Sequence, residues 1–336
     1  MQNFLKRTDA QRKTIYEQVA LRVGISDPRA IEKDMWVTSL LQIVFGLPYA
    51  DRFVFKGGSS LSKVWKLIHR FSEDIDLAID RSMFGLEGDL TKKQLKRLRK
   101  ESSLFVKDKL ASDLGASLRN FGLDMYCDVI PEPDGEGDST YPEPRKIHIA
   151  YKSVFDDGDG YLRPEVLLEV GARSLFEPTS ESTVKSMISE NSEIETSVAD
   201  NEIICAVPQK TFLEKAFLLH ELFTTEMGMR ANRKSRHLYD LERLMAHQEI
   251  LSAVRDRELW ENIRHHREVF TSIRGVDYTP DARQRIVLIP PKEFESEWRK
   301  DYDSMQKSMI YGDRMPYDDL ILKIGLLQDL FRNVQF

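Results

Sequence analysis

Residues 52–79 read RFVFKGGSSLSKVWKLIHRFSEDIDLAI. The run from Arg52 to Phe55 is short, aromatic and β-branched, the composition of a strand, and Lys56, Gly57, Gly58, Ser59 and Ser60 break it. Leu61, Val64, Trp65 and Ile68 then fall at i, i+3, i+4 and i+7, which predicts a helix with Lys63, Lys66 and Arg70 off its apolar stripe. Ile75, Leu77 and Ile79 alternate with Asp74, Asp76 and Ala78, so the next element reads as a strand with one wet face. Alternation puts Asp74 and Asp76 on the same face, where two carboxylates repel unless a cation lies between them. Hard oxygen ligands of this kind suit Mg²⁺, which takes one or two carboxylates and completes its shell with water and substrate phosphate. Gly57 and Gly58, lacking Cβ atoms, let backbone N–H groups approach such a phosphate where a helix begins. A double glycine or a solvated acid pair is common alone; both in one strand, turn, helix, strand unit are specific.

Before this unit, apolar residues from 8 to 49 (Ile15, Val19, Leu21, Val37, Leu40, Leu41, Val44) recur at helical spacing, with Asp27 ahead of Pro28 as an N-cap. After it, residues 92–109 carry eight Lys or Arg against Glu101 and Asp108, on a helical pattern with Leu95, Leu98 and Phe105. Such a charge run is either a solvated helix face or a nucleic-acid contact. Strands are predicted at 123–130, 146–151 and 166–170, joined by loops rich in Pro, Gly and acid such as 131–144. Residues 177–202 hold seven acids and one lysine with weak periodicity, and from Thr211 the pattern is helical. A domain boundary is placed near Cys205, giving units 1–205 and 206–336.

The 336 residues exceed a typical domain of about 100 to 200 and need no disulfide to hold a core. Cys127 and Cys205 are far apart and read as buried thiols of a reducing compartment, with a lone disulfide as the alternative that counting leaves open. No run approaches about 18 apolar residues and the first residues lack a signal-peptide core, so a soluble, cytoplasmic protein without membrane contact is expected. A net charge of −6 excludes a protein that coats nucleic acid with a broad basic surface and leaves room for a local basic groove. The chain has no Walker loop, G-x-G-x-x-G, H-E-x-x-H or C-x-x-C motif. His265 with His266, His220 with Glu221, and Trp36, Trp65, Trp260 and Trp298 read as surface or packing residues.

The glycine turn followed by Asp-x-Asp resembles the nucleotidyltransferase fold of the polymerase β type, with a slightly longer spacing of fourteen residues between Ser59 and Asp74. Phe55 to Ser62 with Lys63, and Arg70 to Leu77, resemble more narrowly the AbiEii/AbiGii toxin family of nucleotidyltransferases. Further pieces resemble the same family: Glu32, Lys33, Asp34, Trp36 and Val37; Pro208, Thr211, Glu214 and Lys215; Arg236, His237, Tyr239, Asp240 and Leu241; Asp301, Tyr302 and Met305. Ser59 stands where the family usually has threonine, and His237 where many members carry another charged residue.

The resemblance implies an α+β fold, a mixed sheet flanked by helices, with a C-terminal helical domain closing the cleft. It implies an enzyme that moves a nucleoside monophosphate from an NTP to an acceptor and releases pyrophosphate. Asp74 and Asp76 would hold Mg²⁺, in a two-metal arrangement, while Lys56, Gly57, Gly58, Ser59 and Lys63 would bind the nucleotide. A third carboxylate is then needed. Glu169, an acid inside the apolar run 166–170, is the choice, with Glu165 as fallback and an ion pair from Glu169 to Arg173 as the alternative reading. Lys215 would reach the triphosphate, with Asp240 fixing Lys215 or Arg236; without the resemblance, Lys215 and Asp240 read as a surface salt bridge. The implied setting is a toxin–antitoxin or phage-defence system with a cognate antitoxin. The acceptor is expected to be RNA, such as a tRNA 3′ end, met by the basic residues around 92–100 and by Arg230, Arg233, Lys234 and Arg236. A small-molecule or protein acceptor, and a catalytically idle nucleotide-binding protein, are the alternatives.

Overall fold

β1 (Phe53–Lys56) and β2 (Asp74–Ile79) run antiparallel, with Phe53 opposite Ile79 and Lys56 opposite Asp76. Phe53, Val54 and Phe55 are all buried, because β1 lies inside a sheet covered on both faces. The computed structural model describes residues 1–72, 74–155, 162–229 and 231–334, so Glu73 of the quoted segment and Arg230 of the basic stretch lie outside the described residues. β3 (Cys127–Pro131), β4 (Arg145–Tyr151), β5 (Glu165–Gly171), β6 (Thr179–Ser182) and β7 (Ile203–Ala206) complete a mixed sheet in the order β3-β4-β5-β2-β1-β7-β6. β2 pairs in parallel with β5 and β1 with β7; the other neighbours are antiparallel. The α+β class matches the sequence reading, and β3, β4 and β5 are the strands it anticipates. β6 and β7 have no counterpart there, being too short for a period of two to register.

The chain divides into two compact units, one of Met1–Val64 with Phe71–Ala206 and one of Trp65–Arg70 with Val207–Phe336. In the first, helix Arg29–Val44 packs against β2 and β5 and buries every residue from Ala30 onward, as a central helix must. Trp36 on this helix stacks on Tyr151 of β4, ring centroids 5.3 Å apart. Asp27 does not cap through the expected position; Pro28 is the cap residue, and Asp27 Oδ1 accepts the Arg29 N–H at 3.0 Å. The basic helix Lys92–Leu104 opens on a reciprocal Thr91/Gln94 cap and continues through one wider π-type turn at Phe105–Leu110 into Ala111–Asn120.

The helix after the glycine turn is a correction. It spans Gly57–Lys63 only, and the apolar stripe expected as far as Ile68 stops because Lys66 adopts a left-handed φ of +54°. Trp65–Arg70 belongs to the second unit, where Tyr311 and Gly312 donate backbone N–H bonds to the His69 carbonyl at 3.1 and 3.3 Å and Arg70 bridges to Ile310.

That second unit is helical, with long helices Pro208–Phe223, Arg236–Met245, Arg257–Phe270, Glu295–Ser308 and Tyr317–Asn333. Its core is aromatic: Trp260 stacks on Phe217 at 4.4 Å and leans on Phe331 at 5.8 Å, and Trp298 meets Phe223 at 4.7 Å. Trp36, Trp260 and Trp298 are core residues as read; Trp65 is only half-buried. His220 is buried and its Nδ1 accepts the Val287 N–H at 3.2 Å, a packing role. Cys127 and Cys205 are buried thiols. No helix among the described residues is long and apolar enough to cross a membrane.

Candidate active site

β1 ends at Lys56 and the chain turns at Gly57, whose φ is +78°. A side chain is excluded there twice, by the left-handed backbone and by space, since a Cβ would run into the Asp76 carboxylate. The turn and the acid strand are thus in direct contact. The Ser59 hydroxyl donates to the Asp74 carbonyl, with Ser72 Oγ 2.7 Å away, and the Ser60 hydroxyl donates to the Gly57 carbonyl at 2.9 Å. Ser59 is 1% exposed, so its hydroxyl holds the start of β2 against the turn.

Asp74 and Asp76 alternate with the buried Ile75 and Leu77 and share the wetter face of β2. Across the parallel pair, Asp76 is in register with Glu169 and Asp74 with Leu167. Glu165 lies four residues before Glu169 on β5, opposite Ala150, with its carboxylate 3.2 Å from His148 Nδ1. Of the two acids considered, Glu169 stands beside the aspartate pair. Continuing outward, Glu169 is in register with Lys146 of β4, and Lys146 Nζ lies 3.2 Å from Glu169 Oε1. In-register residues of neighbouring strands point to one face. One row therefore crosses four strands: Lys56, Asp76, Glu169, Lys146. The alternative partner Arg173 is replaced by Lys146 because residue 173 lies past the end of β5, against the half-buried Glu143.

Two like charges in register on neighbouring strands are unfavourable alone. Here a lysine flanks each end of the pair. Burial pulls the Lys146 ammonium down, but Glu169, then Glu132 and Asp74, outweigh it and raise its pKa. Among the described residues no three His, Cys, Asp or Glu side chains converge into a group able to hold a metal ion unaided. The donor chemistry of Asp74, Asp76 and Glu169, carboxylate oxygens on one face, fits Mg²⁺ provided that water and a nucleotide's phosphates complete the shell.

The acids and lysine of the N-terminal helix are interior struts. Glu32 accepts from the Ser153 hydroxyl at 2.6 Å and the Val154 N–H at 3.0 Å, and Lys33 Nζ donates to the Arg163 carbonyl at 3.3 Å. Asp34 pairs with Lys63, both buried, and its other oxygen accepts the Met187 N–H at 2.6 Å. Lys63, expected off the apolar stripe, is turned inward.

In the second unit, Asp240 is wholly buried and serves two cations. Arg70 Nε and Nη2 donate to its Oδ1 and Oδ2 at 2.6 and 2.8 Å, and Lys215 Nζ reaches Oδ2 at 2.8 Å. The surface salt bridge is corrected to an interior one. Burial pushes the Asp240 carboxyl up, but Arg70 and Lys215 outweigh it and hold it well below the usual carboxylate range. Burial lowers Lys215 in spite of Asp240, with Arg70 repelling. His237, its Nδ1 3.5 Å from Lys215 Nζ, is held well below the ordinary histidine value, chiefly by burial and then by Lys215 and Arg236. Asp301 braces the approach to this helix, accepting the Arg233 N–H at 2.6 Å and the Ser235 N–H at 2.9 Å.

Arg70 and Lys146 escape the sequence reading as site residues. Lys146 opens an alternating run with His148, yet nothing local says that β4 pairs with β5 in that register. Arg70 abuts the Asp-x-Asp segment, and its partner lies 170 residues away.

Residues 40–323 match the sequence profile of the nucleotidyl transferase AbiEii toxin family of type IV toxin–antitoxin systems. None of the curated proteins compared with the chain matches it. The match covers most of the chain, which therefore belongs to the AbiEii nucleotidyl transferase toxin family, an enzyme of the nucleotidyltransferase class with an NTP as substrate and an antitoxin as the family's kind of partner.

Proposed function

We propose that this toxin is a Mg²⁺-dependent nucleotidyltransferase that moves a nucleoside monophosphate from an NTP to the 3′ hydroxyl of an RNA, such as a tRNA, in the cytoplasm. The observation carrying the reading is the contact between the Gly57 turn and Asp76, with Asp74 on the same face and Glu169 in register beside it. In this reading the turn from Lys56 to Ser59 receives the β- and γ-phosphates on backbone N–H groups, with the Lys56 ammonium beside them. Asp74, Asp76 and Glu169 would hold Mg²⁺, which when bound neutralises phosphate charge in the transition state. The acceptor hydroxyl attacks the α-phosphorus, its proton passes to Glu169, and pyrophosphate leaves in line. Lys215, kept in place by Asp240, meets the triphosphate. Lys63, paired with Asp34 in the interior, supports the helix that follows the turn and takes no part in nucleotide binding in this reading.

The RNA acceptor is supported by the helix Lys92–Leu104, where Lys92, Lys93, Lys96 and Lys100 are exposed. Arg97 is engaged by Glu101 and the Phe84 carbonyl, and Arg99 by the Tyr141 carbonyl. Four exposed lysines on a chain of net charge −6 form a local patch of the kind that follows a phosphate backbone.

Purified protein is incubated with Mg²⁺, each labelled NTP, and total RNA or total protein. Label in the RNA, absent with EDTA and with Asp76→Asn, is the expected result. Label in protein or in a small-molecule fraction overturns the acceptor, and metal-independent labelling overturns the mechanism.

A further inference from the structure

Glu169 has an ion-pair partner of its own in the sheet. Its Oε1 lies 3.2 Å from Lys146 Nζ, and the two side chains remain 29% and 39% exposed, enough for either to swing without disturbing the core. The β4 backbone beneath Lys146 is fixed: its N–H donates to Glu132 Oε2 at 3.1 Å and its carbonyl accepts the Glu132 N–H at 2.8 Å. The lysine therefore sits on a rigid strand, among acids, on the row that carries Asp76 and Glu169.

We propose that Lys146 is a resident counter-ion of the acidic site, which occupies Glu169 in the free protein, weakens divalent-cation binding there, and yields Glu169 when the nucleotide arrives. The inference rests on the metal-dependent reading above. Three carboxylates, Asp74, Asp76 and Glu169, carry three negative charges, and Lys146 with Lys56 in the same row offsets two of them. A bare divalent ion thus meets a site of small net charge with one ligand engaged. A nucleotide alters this because its phosphates bring negative charge for the lysines and further oxygen ligands for the metal. An ammonium on a flexible four-carbon stem can change partners in a way that a bidentate guanidinium resists. The expected consequence is ordered loading, in which metal binds tightly only together with nucleotide.

The probe is Mn²⁺, followed by the electron paramagnetic resonance signal of the free ion, with protein lacking nucleotide. Lys146→Met and Lys146→Gln are each expected to bind Mn²⁺ about tenfold more tightly than wild type, the effect of removing one unit charge several ångströms away in a half-solvated site. Lys146→Arg should bind no more tightly than wild type. Adding a non-hydrolysable NTP analogue should narrow the gap between Lys146→Met and wild type. If the Lys146–Glu169 pair only staples β4 to β5, both neutral variants lose melting temperature and keep wild-type Mn²⁺ affinity, which overturns the proposal. Asp76→Asn separates the two levels. Weaker Mn²⁺ binding in Asp76→Asn with no gain in Lys146→Met sinks the Lys146 role alone, whereas Mn²⁺ binding indifferent to both Asp76 and Lys146 sinks the metal reading with it.

Discussion

Asp240 receives both arms of the Arg70 guanidinium, at 2.6 and 2.8 Å, in an interior where neither residue is more than 1% exposed. With Lys215 on the same carboxylate, one buried anion serves two cations from distant stretches of the chain. Arg70 lies four residues before Asp74 in the sequence.

Asp240→Asn should therefore be severe. It leaves two cations buried without their counter-charge, a loss of about 3–5 kcal/mol by denaturant unfolding. Adding Arg70→Met should recover part of that loss, because one orphaned charge goes with it; simple additivity would mean that the two do not communicate. The Asp240 pKa is depressed, so its contribution is present above the unfolded value, about 3.9, and is lost as pH falls further toward the folded one. The stabilities of wild type and Asp240→Asn should accordingly stay apart above about pH 4 and begin to converge only as pH falls below it.

Gly57→Ala separates backbone strain from collision. Gly24 has a similar φ, +75° against +78°, with nothing near its absent Cβ, whereas a Cβ on Gly57 strikes Asp76. Both alanine variants should lose about 1–3 kcal/mol from the left-handed backbone. Only Gly57→Ala should also abolish transfer, by moving Asp76. Normal activity in a folded Gly57→Ala protein would detach the glycine turn from the chemistry.

Lys215 is expected to set the alkaline limb of the reaction. Burial lowers its pKa, so the ammonium proposed to meet the triphosphate loses its proton at lower pH than an exposed lysine does. Transfer should decline as pH rises through that lowered value, and Lys215→Arg should move the decline upward, because arginine keeps its charge. The measurement is kcat/KM for NTP against pH. An unmoved limb would leave Lys215 a structural partner of Asp240.

RNA binding should be salt-dependent through the exposed lysines. Each neutralised phosphate adds about 0.7 to 0.9 to the log-log slope, so Lys93→Glu with Lys96→Glu should flatten it by roughly 1.5. Arg97, held by Glu101, is a poorer target. A slope unchanged by the double reversal would remove this helix from the RNA path.

The period-two run through Ile75, Leu77 and Ile79, the break at Gly57 and Gly58, and the paired acids are legible in the sequence alone, because alternation and backbone permissiveness are properties of neighbouring residues. The α+β class was implied by the resemblance to the AbiEii family that these and the other quoted motifs carry. The companions of those residues were not legible. That Asp76 stands beside Glu169, and Glu169 beside Lys146, depends on β2 pairing in parallel with β5 and on the register of β4, relations between segments tens of residues apart. Lys63 and Arg70 looked like wet positions on a longer helix, yet each is buried against an aspartate, Asp34 and Asp240, far away in sequence. Local periodicity reports which side of an element is apolar; it carries no information on where a buried charge finds its counter-ion, since that is settled only when long-range packing removes water from both.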